Sequence, residues 1–215
     1  YASRCKRMKD LFNDPTRSLH LEQGKIVYGR DVDKGTYEYT VVKSSRHASN
    51  YREGPTRFSQ QTRLPLSEAK RILAADRRLH PEIDRWHRWV KEEVTKRGFL
   101  TTTFGHRRQF FEAVCHASFR GKITDQQWKD AIAWMPQTTV PEIINQAMAK
   151  VKAAFGDRIW FHMHGHDAFL ASIAEGDQEE IIPFTLEALK CPLFIGGDTL
   201  IIPTEMQIGY NWSEQ

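Results

Sequence analysis

Cysteine is scarce in this chain: Cys5, Cys115 and Cys191 are the only three in 215 residues, and no two form a CxxC pair. That excludes a disulfide-stapled fold and a finger- or ribbon-type zinc framework, and it suits a reducing compartment. No apolar run approaches the roughly 20 residues that a membrane span needs, and no signal-peptide pattern is present. Repeats and low-complexity tracts are also missing. With 40% apolar residues, enough to bury a real core, these absences predict a soluble, intracellular protein of one domain or two small ones. The first residue is Tyr1, not methionine, which leaves room for a natural start upstream.

Acid is scarce in one half only. Residues 1–122 carry 26 Lys and Arg against 14 Asp and Glu, whereas residues 123–215 carry 5 against 13. A basic half suits a polyanionic partner and an acidic half suits metal ions. A well-solvated helical surface with a chance skew has the same composition.

Periodicity and punctuation outline the elements. The end of an amphipathic helix (Met8, Leu11, Phe12) stops at Asn13-Asp14-Pro15, and a second helix over about 16–28 ends at Gly29. Tyr39, Lys43, His47 and Tyr51 recur every fourth position and form one stripe of a helix over about 37–51, closed by Gly54-Pro55. Ser67 to Leu79 reads as helical. Pro81 opens a helix of about 17 residues with Ile83, Trp86, Val90 and Val94 inward and Gly98 as its stop. Phe99 to Phe110 reads as a short hairpin around Gly105-His106. Thr124-Asp-Gln-Gln127 is a capping box opening a helix that meets Pro136 and Pro141. Another helix follows from Pro141 to Phe155. Two apolar runs flanking Gly165-His166 predict a tight β-hairpin. An acidic helix near 177–190 and an alternating strand from Thr199 to Ile208 complete the chain. Helices first and strands later predict an α+β fold.

The chemistry concentrates on the second hairpin. Strand geometry places His162, His164 and His166 on one face if the strand runs straight, which invites a zinc-hydrolase reading. The order of the last His and Asp is reversed for that chemistry, however, and no histidine follows His166. Solvated strand histidines account for His162 and His164. Asp167, set between Phe161, Met163, Phe169 and Leu170, is a carboxylate whose burial demands a cation or hydrogen-bond donors. On the 37–51 helix, core packing explains Tyr39 and Tyr51 but not Lys43.

These segments resemble the family A DNA polymerases, the DNA polymerase I type. His166-Asp167 resembles the His-Asp pair that the family carries on a palm hairpin. Lys43, His47 and Tyr51 match its fingers pattern Lys-x-x-x-aromatic-x-x-x-Tyr. His80-Pro-Glu-Ile-Asp-Arg-Trp86 looks like Phe-Pro-x-Ile-x-x-Trp/Tyr. Gly98-Phe-Leu-Thr-Thr-Thr-Phe-Gly-His-Arg-Arg108 resembles its Gly- and Arg-rich hairpin. Gln137-Thr-Thr139 before a helix over Ile143–Met148 is similar to its Gln-Gly-Thr, and Ile208-Gly-Tyr-Asn-Trp212 to its Gly-x-Asn-Trp ending. Besides the His-Asp hairpin, five motifs in order span nearly the whole chain. Departures accompany them. Ala168 stands where a second acid usually follows His-Asp, and Tyr39 where an arginine is expected, so that Arg46 or His20 is left to supply the phosphate contact. Arg52 replaces glycine after Tyr51, and Lys129 and Ala133 replace an Arg and an Asn.

The resemblance implies a helical fingers subdomain and an incomplete palm whose small antiparallel sheet carries the His-Asp hairpin. Residues 1–24 become palm-to-fingers connecting helices, 25–106 fingers and 107–215 palm. It implies template-directed nucleotidyl transfer to a primer 3′-hydroxyl with two Mg²⁺ ions, one ligand coming from this chain. Asp167 is then the metal ligand and His166 orients the primer end. Lys43, His20 and Arg46 face the triphosphate, and His47 and Tyr51 the base. Arg107, Arg108, Lys129, Gln137 and His166 touch DNA. Its partners are primer–template DNA and dNTPs, with no membrane, in the cytoplasm of a bacterial or phage-infected cell. The family's other metal-binding aspartate lies on a strand expected before Tyr1. The chain is therefore incomplete alone, either a fragment or one part of a split enzyme whose second polypeptide brings that strand and the thumb. A catalytically silent nucleic-acid-binding module is the alternative.

Overall fold

The computed structural model describes residues 3–14, 16–111 and 123–211. The chain forms two compact units, Tyr1–Leu100 with Arg107–Ala133, and Thr101–His106 with Trp134–Gln215.

The first unit is built on α1 (Lys6–Phe12), α2 (Leu19–Tyr28), α3 (Tyr37–Asn50), α4 (Pro55–Thr62), α5 (Leu66–Leu79) and α6 (Pro81–Arg97). Local chemistry sets the helix ends. Gly29 (φ 68°) and Gly98 (φ 73°) adopt the left-handed conformation and return their N–H groups to the Lys25 and Val94 carbonyls, the usual glycine stop. Thr36 caps α3 by accepting from the Tyr39 N–H, and prolines open α4 and α6 where a missing N–H is harmless. Val27, Val41, Ala48, Phe58, Ala69, Ile72 and Leu73 pack together as the core.

Helix α4 is absent from the sequence reading. In its eight residues, Phe58 is the one large apolar side chain, too few to show a period, yet it is completely buried. On α6 the buried positions are Ile83, His87, Val90 and Val94, whereas Trp86 is half-buried. Histidine takes the expected tryptophan's place because its ring finds a partner inside, the Asn50 carbonyl at 2.8 Å.

After α6, β1 (Phe99–Thr101) pairs with β2 (Arg107–Gln109) around the expected turn at Gly105. Helix α7 (Asp125–Phe155) then runs unbroken for 31 residues. The predicted capping box opens it: the Gln127 N–H donates to Thr124 Oγ1 (3.2 Å) and the Thr124 N–H to Gln127 Oε1 (2.7 Å). Pro136 and Pro141 lie inside this helix and do not divide it, so Gln137-Thr-Thr139 sits in mid-helix and not before one. Buried Ala131, Ile132, Ile143, Ile144, Ala147 and Val151 on both sides of the prolines show packing overriding the local breaks.

The second unit continues with β3 (Ile159–His164), β4 (Phe169–Ile173), α8 (Gln178–Leu189), β5 (Leu193–Ile195) and β6 (Asp198–Leu200). Val151, Phe155, Ile159 and Ile181 make its core, joined by Phe161, Ala171, Ile173 and Ala188. The expected strand from Thr199 to Ile208 is shorter: pairing stops at Leu200, and residues 201–209 are irregular. Alternation alone does not make a strand without a partner edge, and Ile208 and Tyr210 are well exposed. Trp212 lies outside the described residues. The architecture is α+β. No helix among the described residues is long and apolar enough to cross a membrane.

Polar groups are also sealed inside the first unit. His80 is buried, with Nδ1 3.4 Å from the Cys5 sulfur. Burial, then the nearby Arg46 and Arg7, push its pKa down to about 4. The unfolded imidazole titrates near 6.5, so the unfolded chain takes up the proton first. Stability is full above pH ~6.5 and falls as the pH drops towards ~4, by on the order of 3 kcal/mol from this residue. Urea unfolding at pH 7 and pH 4.5 should show a smaller loss in His80→Gln than in the parent; equal losses would remove His80 from the acid sensitivity.

Candidate functional site

Helix α3 is two-faced. Val41, Val42, Ser45, Arg46, Ala48 and Ser49 are buried, while Lys43 and His47 on the opposite side are exposed and Tyr39 and Tyr51 half-buried. The stripe predicted from spacing is thus real, and it presents a cation and an aromatic row to solvent. The His47 and Tyr51 rings lie 4.7 Å apart at 53°. His20, on α2, meets the first stripe residue edge-on, with its ring 6.0 Å from that of Tyr39. Burial, then the positive charges of Lys43 and Arg46, hold the His20 pKa below its ordinary value. His20 is therefore a neutral imidazole beside Lys43 at physiological pH. Its Nδ1 is enclosed and has no hydrogen-bond partner among the described residues.

Arg46 has a different place from the one expected. Its side chain is 4% exposed, and Nη1 donates to Asp76 Oδ1 at 2.9 Å. The Gln23 amide donates to the same oxygen at 2.5 Å and also meets the Ser45 hydroxyl at 3.2 Å. Burial pushes the Asp76 carboxyl above the ordinary carboxylate range, and Arg46 and Gln23 pull it back. A guanidinium spent on an internal carboxylate is not a phosphate ligand. That expectation is corrected, and His20 and Lys43 remain as the polar groups on this side.

In the second unit, β3 and β4 pair antiparallel around Gly165–Ala168, and the Gly165 N–H donates to the Ala168 carbonyl at 2.7 Å. A Cβ on Gly165 would stand 3.3 Å from that oxygen, which explains glycine there. His166 and Asp167 occupy the loop tip as expected, but both are exposed. The carboxylate is not inside the apolar pair, so no burial cost requires a cation. The strand carries a bulge between Phe161 and Met163, leaving His162 unpaired in the ladder with Nε2 2.7 Å from the Ser172 hydroxyl. Trp160 pairs with Ser172, whereas His164 pairs with Phe169, whose ring packs on Phe161. The extra residue therefore turns His162 and His164 to opposite faces. The three-histidine face that the zinc reading needs does not form. Among the described residues no three His, Cys, Asp or Glu side chains make a metal-holding group.

The remaining expected contacts lie apart from the α3 stripe in sequence. Arg107 and Arg108 are exposed on β2 with their guanidinium groups 4.2 and 5.1 Å from the Phe99 and Phe110 rings. Lys129 pairs with Asp125 at 2.7 Å, and Gln137 is exposed on α7. Sequence reasoning passed over Trp128, which carries Arg52 and Lys91 against its ring. The one signal available was Arg52 standing after Tyr51 where glycine is expected.

A family model for DNA polymerase family A matches residues 2–214, and the chain belongs to that family. It is similar to DNA polymerase I of Synechocystis, 23% identical over 218 residues, covering 92% of this chain and 21% of that protein. DNA polymerase I of Helicobacter pylori J99 is 24% identical over 77% of this chain and 18% of its own length. The DNA polymerase of Mycobacterium phage D29 is 21% identical over 90% and 30%. Among solved structures, the POL domain of Pol1 from M. smegmatis, in complex with DNA primer-template and dNTP, superposes with a TM-score of 0.75 at 22% identity. It covers 93% of this chain and 36% of that one. The chain thus spans well under half the length of each of these relatives.

The Arg46–Asp76 pair yields a stability prediction. Asp76→Ala strands a buried guanidinium and should lower unfolding free energy by about 3–5 kcal/mol, whereas Arg46→Met with Asp76→Leu should lower it much less. Denaturant unfolding of both variants measures this; equal losses would contradict a buried, coupled pair.

Proposed function

We propose that this chain is the fingers and partial palm of a template-directed DNA polymerase that transfers deoxynucleotides to a primer 3′-hydroxyl. Residues 1–24 connect palm to fingers, 25–106 are fingers and 107–215 palm. The observation that carries this reading is the two-faced α3: an ion-paired, apolar side fixes the helix and leaves Lys43 and His47 outward, inside a chain of family A.

In this reading Lys43 meets the triphosphate and stabilises charge that develops on it in the transition state. Neutral His20 beside it donates or accepts a hydrogen bond without adding a second full charge. His47 and Tyr51, with rings in contact, offer an aromatic surface to the incoming base. Arg107, Arg108 and Lys129 neutralise primer–template phosphates, and Gln137 adds a polar contact; phosphate contacts position the duplex without reading its sequence. His166 orients the primer end.

Asp167, exposed at the tip of a closed hairpin, is a hard oxygen donor of the kind Mg²⁺ takes. Two such ions, when bound, would supply hydroxyl activation and charge neutralisation of the pyrophosphate. One carboxylate is a weak magnesium site by itself, because the ion sheds water reluctantly. The second carboxylate and the thumb would come from a further segment of the same polypeptide or from a second one, within a bacterial or phage-infected cell. Ala168 and the solitary Asp167 favour one alternative, a silent nucleic-acid-binding module that keeps the basic fingers.

Primer extension by the complete polymerase separates the two. Asp167→Asn should lower the extension rate at least about a hundredfold, more than loss of an outer-shell partner does, while DNA affinity stays within about twofold. Near-parent extension by the variant would overturn the metal role of Asp167, and a parent that extends no primer would leave only the silent module. Lys43→Ala should raise KM for dNTP about tenfold, the scale of one charge-assisted contact; an unchanged nucleotide dependence would take Lys43 out of the site.

A further inference from the structure

Helix α3 ends in a Schellman closure. The Glu53 N–H donates to the Ala48 carbonyl at 2.8 Å and the Arg52 N–H to the Ser49 carbonyl at 3.4 Å. This motif places the residue after the C-cap in the left-handed region, where glycine is at ease and other residues are disfavoured. Here that residue is Arg52, with φ 57°. Glycine would make the same turn without strain, so the backbone does not explain the arginine. Its side chain does.

The Arg52 guanidinium lies 3.4 Å from the centroid of the Trp128 ring and 3.4 Å from Asp125. Lys91 approaches the same ring at 4.6 Å. The indole is itself anchored, its Nε1–H donating to the His87 carbonyl at 2.7 Å. The His87 side chain in turn donates from Nε2 to the Asn50 carbonyl at 2.8 Å, and burial holds the ring's pKa below its ordinary value. Asn50 and Arg52 flank Tyr51. A closed circuit therefore runs from Asn50 to His87, to Trp128, to Arg52 and back, and all four residues lie in the first unit. Tyr51 is the one residue of the circuit's α3 arm whose ring reaches His47 and the exposed stripe.

We propose that Arg52 and Trp128 are positioning residues for Tyr51, and that through it they set nucleotide selection. The proposal rests on the polymerase reading above. The circuit holds the last turn of α3 from both sides, so the Tyr51 ring keeps one orientation beside His47. Loosening it spreads the ring over several orientations and weakens the fit of the correct nucleotide.

Arg52→Gly in the complete polymerase is the informative variant, because it removes the guanidinium while relieving the backbone. Steady-state incorporation of a correct and an incorrect dNTP, together with thermal unfolding, reads both sides. We expect Tm at or above the parent's, KM for the correct dNTP raised about fivefold, and poorer discrimination, with kcat changed less than about twofold. Trp128→Leu should shift KM in the same direction, and Arg52→Lys should restore part of the loss through a weaker cation–π contact. In a Tyr51→Ala background, Arg52→Gly should add nothing further, since coupled residues are non-additive. An active Arg52→Gly enzyme with parental KM and discrimination overturns the proposal, as does full additivity with Tyr51→Ala. A parent enzyme with no primer extension overturns the polymerase reading and this inference with it.

Discussion

The helical unit depends on one internal charge pair. Arg46 lies on α3 and Asp76 on α5, both buried, and their contact at 2.9 Å is backed by Gln23 from α2. Neither charge can be left inside without the other, so the three helices can pack in few ways that keep both satisfied. The apolar cluster of Val27, Val41, Ala48, Phe58 and Ile72 supplies the attraction, but apolar contacts tolerate rotation of a helix about its axis. A hydrogen-bonded ion pair does not. With Arg46 held inward beside Val42, Ser45 and Ser49, that buried arc of α3 is fixed, and Lys43 and His47 are left on the remaining arc that faces solvent.

The same logic extends to the helix end. His87 and Trp128 are amphipathic side chains that each place one ring N–H on a main-chain carbonyl while packing their rings. They convert the exposed end of α3 into a held one. In the second unit the hairpin achieves its shape by other means, a four-residue closure at Gly165–Ala168 and a bulge at His162. Its inner face joins Ile159 and Ile173 to the core and leaves the loop acid in water. The proposed cation role of Asp167 therefore rests on its place at the tip of a short closed loop and not on burial.

The motif residues were legible because they are local. The Lys43–His47–Tyr51 spacing, the Thr124–Gln127 capping box, the glycine stops at 29 and 98 and the hairpin turn are set within one or two turns of chain, and each appears where sequence chemistry puts it. The α+β order followed from the same punctuation. What local reasoning misread were features decided at a distance. The prolines of α7 looked like breaks until its two buried segments were packed. His87 outcompeted Trp86 for the interior because a carbonyl on another helix awaited it. Arg46 resembled a phosphate ligand until Asp76, thirty residues away, claimed it.

By itself, then, the sequence determined which residues could do chemistry and how they are spaced along each element, since helix and strand periods and turn preferences act over a few residues. Only the tertiary structure decided which of those side chains are free to act. Lys43 faces solvent and Arg46 does not, His162 and His164 part company at a bulge, and Arg52 accepts a glycine's conformation to reach Trp128. Each outcome turns on a partner remote in the chain, and the free energy of burying, pairing or exposing a group is defined only when that partner arrives.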